Sequence, residues 1–161
     1  MSKPLPTLHL FCGKIAAGKS TLAKELASSA TAVLISEDAW LAHLYPDDIK
    51  SVADYVRCAS NLRSAVGPHV SNLLRIGVSV VLDFPANTVA SRKWMQSLLD
   101  SVEAEHVLHF LDVSDDKCLM RLRERNRSGT HAFAVADSEF ELITSYFVPP
   151  QQEEGFNIVR H

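Results

Sequence analysis

Gly13-Lys14-Ile15-Ala16-Ala17-Gly18-Lys19-Ser20-Thr21 reads G-x-x-x-x-G-K-[ST]. That spacing is phosphate chemistry. Two glycines permit a tight loop whose backbone N–H groups wrap an anion, the lysine reaches the β- and γ-phosphates of a nucleotide, and the Ser20 hydroxyl is a ligand for Mg²⁺. An apolar run, Leu8 to Cys12, leads into the loop and a helical pattern leads out, so the positive end of a helix dipole faces the phosphates. A ligand-free glycine turn between a strand and a helix is the competing reading, but a chance match to the full motif has odds on the order of one in a few hundred.

In open parallel sheets, ligands bind beyond the carboxyl ends of the strands, so polar residues at those ends are the next candidates. Asp83 closes the apolar run Val80-Val81-Leu82, the usual setting for a carboxylate that completes the Mg²⁺ shell opposite the loop serine. Asp38 follows a short second apolar run and is placed to orient an acceptor hydroxyl and take its proton. Glu37 is the alternative base, and either acid could instead serve the N-terminus of a short helix. Arg121, Arg123, Arg125 and Arg127 alternate along a helical pattern. At roughly 100° per residue, Arg121 and Arg125 share a face with Cys118 and Leu122, which makes that pair the candidate clamp for a transferred phosphoryl group. Arg92 either binds substrate or pairs with an acid. His131 is read as structural or exposed. Trp40, Trp94 and Phe156 are read as core or pocket wall, and Cys12 as a small buried residue.

The elements that must position these groups follow from periodicity. Leu8 to Cys12, Thr31 to Ile35, Val78 to Leu82, His106 to Leu111 and Phe156 to Val159 read as strands. Between them, helices are expected from the loop to about Ala30, from Ser51 to Ile76, from about Thr88, and from Asp115 to about Arg127. Gly67-Pro68 makes the second either one kinked helix or two in succession, with Gly77 as its stop. A last helix is announced by Ser138 with Glu141 three residues on, a capping-box spacing, and ends before Pro149-Pro150. Strands alternating with helices specify a three-layer α/β fold with a mostly parallel sheet of about five strands.

The chain has 161 residues, 47% apolar and 22% charged, with a net charge of −3. It is expected to form one domain, residues 1–161, and to be a cytoplasmic protein: nothing reads as a signal peptide or a membrane span, and Cys12, Cys58 and Cys118 suggest neither disulfides nor zinc. The acidic balance disfavours a nucleic-acid partner unless Arg57, Arg63 and Arg92 build a local basic groove.

With these residues in place the chain resembles the small P-loop kinases often labelled AAA family ATPase or predicted kinase, a group similar to zeta-toxin kinases, chloramphenicol phosphotransferase and polynucleotide kinase domains. The resemblance runs through Gly13 to Thr21, Ser36-Glu37-Asp38, Leu82 to Thr88 with Arg92, Arg121 to Asn126, Gly129-Thr130-His131, and Pro149-Pro150 through Phe156. It implies an adenylate-kinase-like core with a lid at about residues 121–137, ATP as donor and Mg²⁺ as cofactor. Asp38 would match the family's acceptor-activating aspartate, and the arginine helix its lid-proximal phosphate clamp. Hexameric AAA+ motors are a poorer likeness, because Asp83 is followed by Phe84 rather than by a glutamate that could polarise water.

The expected function is therefore a kinase carrying the γ-phosphoryl of ATP to a hydroxyl of a small molecule. Lys19, Asp38, Arg121 and Arg125 would be catalytic, Gly13 to Thr21 would hold the nucleotide, Asp38 and Arg92 would contact the acceptor, and Ser20 and Asp83 would hold Mg²⁺. A polynucleotide 5′-hydroxyl kinase and a non-catalytic ATP-dependent binding module are the alternatives.

Overall fold

Residues 2–129 and 134–161 are described in the computed structural model of the protein. Strand β1 (Thr7–Cys12) lies at the centre of a five-stranded sheet, followed along the chain by β2 (Ala32–Ser36), β3 (Ser79–Pro85), β4 (Glu105–Phe110) and β5 (Ile158–Arg160). The spatial order is β2-β3-β1-β4-β5 and every pairing is parallel. The continuous apolar runs explain the central places of β1 and β3, since Leu8, Leu10, Phe11, Cys12, Val80, Val81, Leu82 and Phe84 are all fully buried.

Helices cover both faces. Helix α1 (Lys19–Ser29) lays Ala23 on Phe11 and Val81, while α3 (Val52–Arg75) and α4 (Val89–Ser97) close the other face over Leu8, Leu10, Val80 and Leu82. The short α2 (Glu37–Leu44) packs on α3, and α5 (Asp115–Ser128) and α6 (Asp137–Ser145) build a smaller cluster, Ala17, Leu111, Cys118, Leu122 and Phe140, around the glycine loop. Gly67-Pro68 does not split α3: one helix of 24 residues runs through Pro68 and stops before Gly77, whose φ of +85° needs glycine.

Side-chain caps set the helix starts, with Ser36, Ser51, Thr88 and Ser114 accepting from the backbone N–H three residues on. The start of α6 differs from the Ser138/Glu141 reading. Its N-cap is Ala136, and Glu139 reaches back to the Ala136 N–H at 3.3 Å, so the reciprocal half of a capping box is missing. Of the expected lid, residues 121–128 are simply the last turns of α5. Residues 134–137 are tied to that helix by Asn126, which donates to Val135 O at 2.6 Å, and by the Arg123–Asp137 pair at 2.6 Å. Thr130 and His131 lie outside the described residues.

A site for phosphate and an acceptor

The chain leaves β1 for β2 on one side of the sheet and later fills β4 and β5 on the other, so the carboxyl end of β1 is where the strand order reverses and a crevice forms. Gly13 enters this crevice between Leu111 O and the Ala17 side chain; a Cβ there would sit 3.1 and 3.2 Å from them. The loop turns through two left-handed residues, Ala16 at φ 62° and Gly18 at φ 104°, closed by Ala17 N donating to Lys14 O at 3.1 Å. A left-handed alanine stores local strain of the kind found at ligand sites. Helix α1 begins with neither a side-chain cap nor an acid in its first turn, which leaves its first N–H groups and dipole to an anion.

Around that helix start the sheet assembles the charged groups. Lys19 Nζ donates to Gly13 O, and to Lys14 O at 2.8 Å; loss of hydration lowers its affinity for a proton, while Asp83 and Asp38 pull it back up. Ser20 Oγ donates to Asp83 Oδ2 at 2.7 Å. Burial pushes the Asp83 carboxyl above the usual range, against the Ser20 hydrogen bond, and neighbouring Asp38 pushes the same way as burial. A hydroxyl and a carboxylate in contact are hard oxygen donors, so Ser20 and Asp83 fit an Mg²⁺ ion. Arg125 feels Asp38 as well: desolvation lowers its pKa and the Asp38 charge opposes that shift. Lys19, Asp83, Asp38 and Arg125 thus act on one another at one end of the sheet.

The adjacent acids part company. Glu37 is 1% exposed, and its carboxylate is taken by the Tyr55 hydroxyl and by Arg63 Nη2 at 3.5 Å. Burial raises its pKa despite both partners. Glu37 is therefore a structural tie between α2 and α3, and Asp38 is the acid whose charge acts on Lys19, Asp83 and Arg125. Arg63 also donates to Ser91 Oγ at 3.1 Å and lies 5.4 Å over the Trp94 ring, so a wall residue organises three helices.

Along α5 the arginines divide as their spacing predicts. Arg121 Nη1 donates to Ala17 O at 3.4 Å and shares a concave surface with Met120, Glu124, Arg125 and Ser128. Arg123 pairs with Asp137, and Arg127 with Glu124 on the edge of that surface. Lys14, inside the motif, turns outward to Asp115 at 2.5 Å and over Phe147.

Arg92 is not a substrate ligand. It is fully buried, donates from Nε to Glu154 Oε1 at 2.8 Å, and from Nη1 to Ala86 O and Val148 O at 2.9 and 2.8 Å. A guanidinium so enclosed has no donor facing the crevice. The basic groove loses two of its three members, since Arg92 is buried and Arg63 is committed to Glu37 and Ser91, which leaves only the exposed Arg57 beside Asp54. Phe156 and Cys12 are buried, Trp94 packs partly buried against the core, and Trp40, 41% exposed, lines a surface pocket with Ala39, His43 and Leu44.

Two features escaped the residue-by-residue reading. Asn87 holds Gly13 from both sides, accepting from Gly13 N at 2.9 Å and donating to Gly13 O at 2.8 Å. Tyr55, in mid-pattern on an amphipathic helix, gives no sign in the sequence that it caps a buried glutamate 18 positions away.

Among solved structures, a candidate kinase from Chloroflexus aurantiacus superposes with a TM-score of 0.80 at 20% identity, covering 99% of this chain and 86% of that one. The APS kinase CysC of Mycobacterium tuberculosis, in complex with AMPPNP and APS, gives a TM-score of 0.63 at 21% identity over 98% and 90% of the two chains. A chain of the Pnkp1/Rnl/Hen1 RNA repair complex gives 0.68 at 19% identity over 90% of this chain and 45% of its own. These likenesses show the P-loop NTPase fold. A search of curated proteins returns no match. The family model described as AAA domain matches residues 8–150, nearly the whole span from β1 to the end of the Arg92 clasp, and the protein belongs to that family.

Proposed function

We propose that the protein is an ATP-dependent phosphotransferase that moves the γ-phosphoryl group to a hydroxyl of a small molecule. The observation that carries this reading is the placement of Asp38 within electrostatic reach of Lys19, Asp83 and Arg125 at the mouth of the glycine loop. The residue after Asp83 is Phe84, fully buried, so no second carboxylate stands there to activate water. Asp38 as the acid for an acceptor, with no carboxylate directly after Asp83 to polarise water, favours transfer over ATPase turnover.

Residues 13–21 would cradle the β- and γ-phosphates, a reading in keeping with the ATP analogue AMPPNP bound in the APS kinase complex. Ser20 and Asp83 would hold Mg²⁺, which supplies charge neutralisation on the phosphates. Asp38 would orient the acceptor hydroxyl and accept its proton. Lys19, Arg121 and Arg125 would stabilise charge on the transferred group. A polynucleotide acceptor is disfavoured because Arg63 and Arg92 are engaged internally, which leaves Arg57 alone of the candidate groove exposed.

Incubation with γ-labelled ATP, Mg²⁺ and a fractionated metabolite extract, with Lys19→Ala as control, tests this. Label in one organic species supports a small-molecule kinase and identifies its acceptor. Label in an added 5′-hydroxyl oligonucleotide would move the assignment to the polynucleotide class. Tight ATP binding with label released only as inorganic phosphate, or not at all, would favour a nucleotide-dependent binding module.

A further inference from the structure

The Lys19 ammonium spends two of its three N–H donors inside the loop. It donates to Gly13 O and Lys14 O, and to turn more than one donor to a phosphate it must give up a carbonyl. A buried carbonyl abandoned by its only donor costs more than an ordinary hydrogen bond returns, so such a lysine would be reluctant to move. Each of these carbonyls, however, already has a second donor. Ala17 N donates to Lys14 O at 3.1 Å, within the loop itself. Asn87 Nδ2 donates to Gly13 O at 2.8 Å, from the segment that follows β3.

Asn87 is also held where it must be. Its Oδ1 accepts from Gly13 N at 2.9 Å, its own backbone O accepts from Val148 N at 2.8 Å, and the preceding carbonyl, Ala86 O, is held by the buried Arg92 guanidinium at 2.9 Å. Ala86 N, in turn, donates to Phe11 O at 2.9 Å, so the two hydrogen bonds of the Asn87 amide continue the β1–β3 ladder one step beyond its end, with a side chain in place of a strand.

We propose that Asn87 is a positioning residue for the phosphate loop: by keeping Gly13 O satisfied, it lets Lys19 exchange that carbonyl for a nucleotide phosphate. The proposal rests on residues 13–21 being the phosphate cradle. Desolvation of Lys19 makes the exchange more valuable, since an ammonium short of hydration gains from an anionic partner.

The test is a double-mutant cycle read by nucleotide binding, using ATP with a fluorescent ribose label and Mg²⁺, on the full chain. Asn87→Ala is expected to weaken binding about tenfold when Lys19 is present, and less than about threefold in the Lys19→Ala background, where no ammonium has to leave Gly13 O. Melting temperatures should fall in both backgrounds, because the bond to Gly13 N is lost in each, and further in the Lys19→Ala background, where Gly13 O is left without either donor. Equal loss of binding in both backgrounds would make Asn87 a purely structural residue and overturn the proposal. Absence of nucleotide binding by the unaltered protein would overturn the cradle reading, and the proposal with it.

Discussion

Two neighbouring carboxylates at the start of α2 show how side-chain surroundings, and not residue type, decide a chemical role. Glu37 is held by Tyr55 and Arg63, one on each carboxylate oxygen, and at 1% exposure it is closed to a ligand. Asp38 shares the crevice with Lys19, Asp83 and Arg125. Asp38→Asn preserves shape and removes the base, so the transfer rate should fall by about 10²–10⁴-fold while ATP affinity changes less than about threefold. Single-turnover transfer and equilibrium nucleotide binding, measured side by side, check this; equal losses would assign Asp38 to nucleotide binding. The sequence leaves both acids open, because their difference is made by residues 18 and 26 positions away on another helix. Ser20 and Asp83 are legible, by contrast, since a hydroxyl in the glycine motif and an acid ending an apolar run are local patterns. Arg92 shows the limit of that kind of reading: its partners, Val148 and Glu154, come from a distant part of the chain.

At the level of a single element, α5 sorts four arginines by phase. The helical repeat separates Arg121 and Arg125 from Arg123 and Arg127: Arg121 reaches Ala17 O in the loop, Arg123 turns to Asp137, and Arg127 holds Glu124 on the edge of the surface lined by Arg121 and Arg125. Arg125 Nε is buried and has no hydrogen-bond partner among the described residues, an arrangement that favours an incoming anion. Arg125→Ala should therefore lower the transfer rate about 10²–10³-fold, whereas Arg123→Ala, which breaks an exposed pair, should stay within about twofold. Comparable losses in the two variants would mean that α5 acts through its packing against α6 and not through a phosphate-facing side. Element phase was legible because 3.6-residue periodicity is an intrachain property. The start of α6 was not, because Ser138 and Glu141 offer the same spacing as a true cap, and the turn before Ala136, fixed by Asn126 and Glu139, decides between them.

For the molecule as a whole, alternation of strands and helices predicts a parallel three-layer fold, but strand order lies beyond that pattern, since it depends on which crossovers span which neighbours. One outcome of the order is that β1, β4 and the segment after β5 bring His9, His109 and His161 into a row, with His9 Nδ1 and His109 Nε2 3.1 Å apart and His109 Nδ1 and His161 Nε2 3.0 Å apart. Phe11 stacks on the middle ring, which is 6% exposed. Burial, and then the two flanking imidazoles, push the His109 pKa down from an ordinary 6.5 to about 4. The folded state thus favours neutral His109, and an unfolded chain takes up a proton that the folded one refuses. The resulting stability is fully present above pH 6.5 and is lost progressively as the pH falls toward about 4. Replacing the ring by an apolar one removes this titration while keeping the stack on Phe11. Between pH 7 and pH 5 the unaltered protein should accordingly lose about 3–6 °C more in melting temperature than His109→Phe, as thermal unfolding in matched buffers would show. Parallel losses in the two proteins would place the acid sensitivity elsewhere, with His9 and His106, the other imidazoles whose proton affinity burial lowers, as the next candidates.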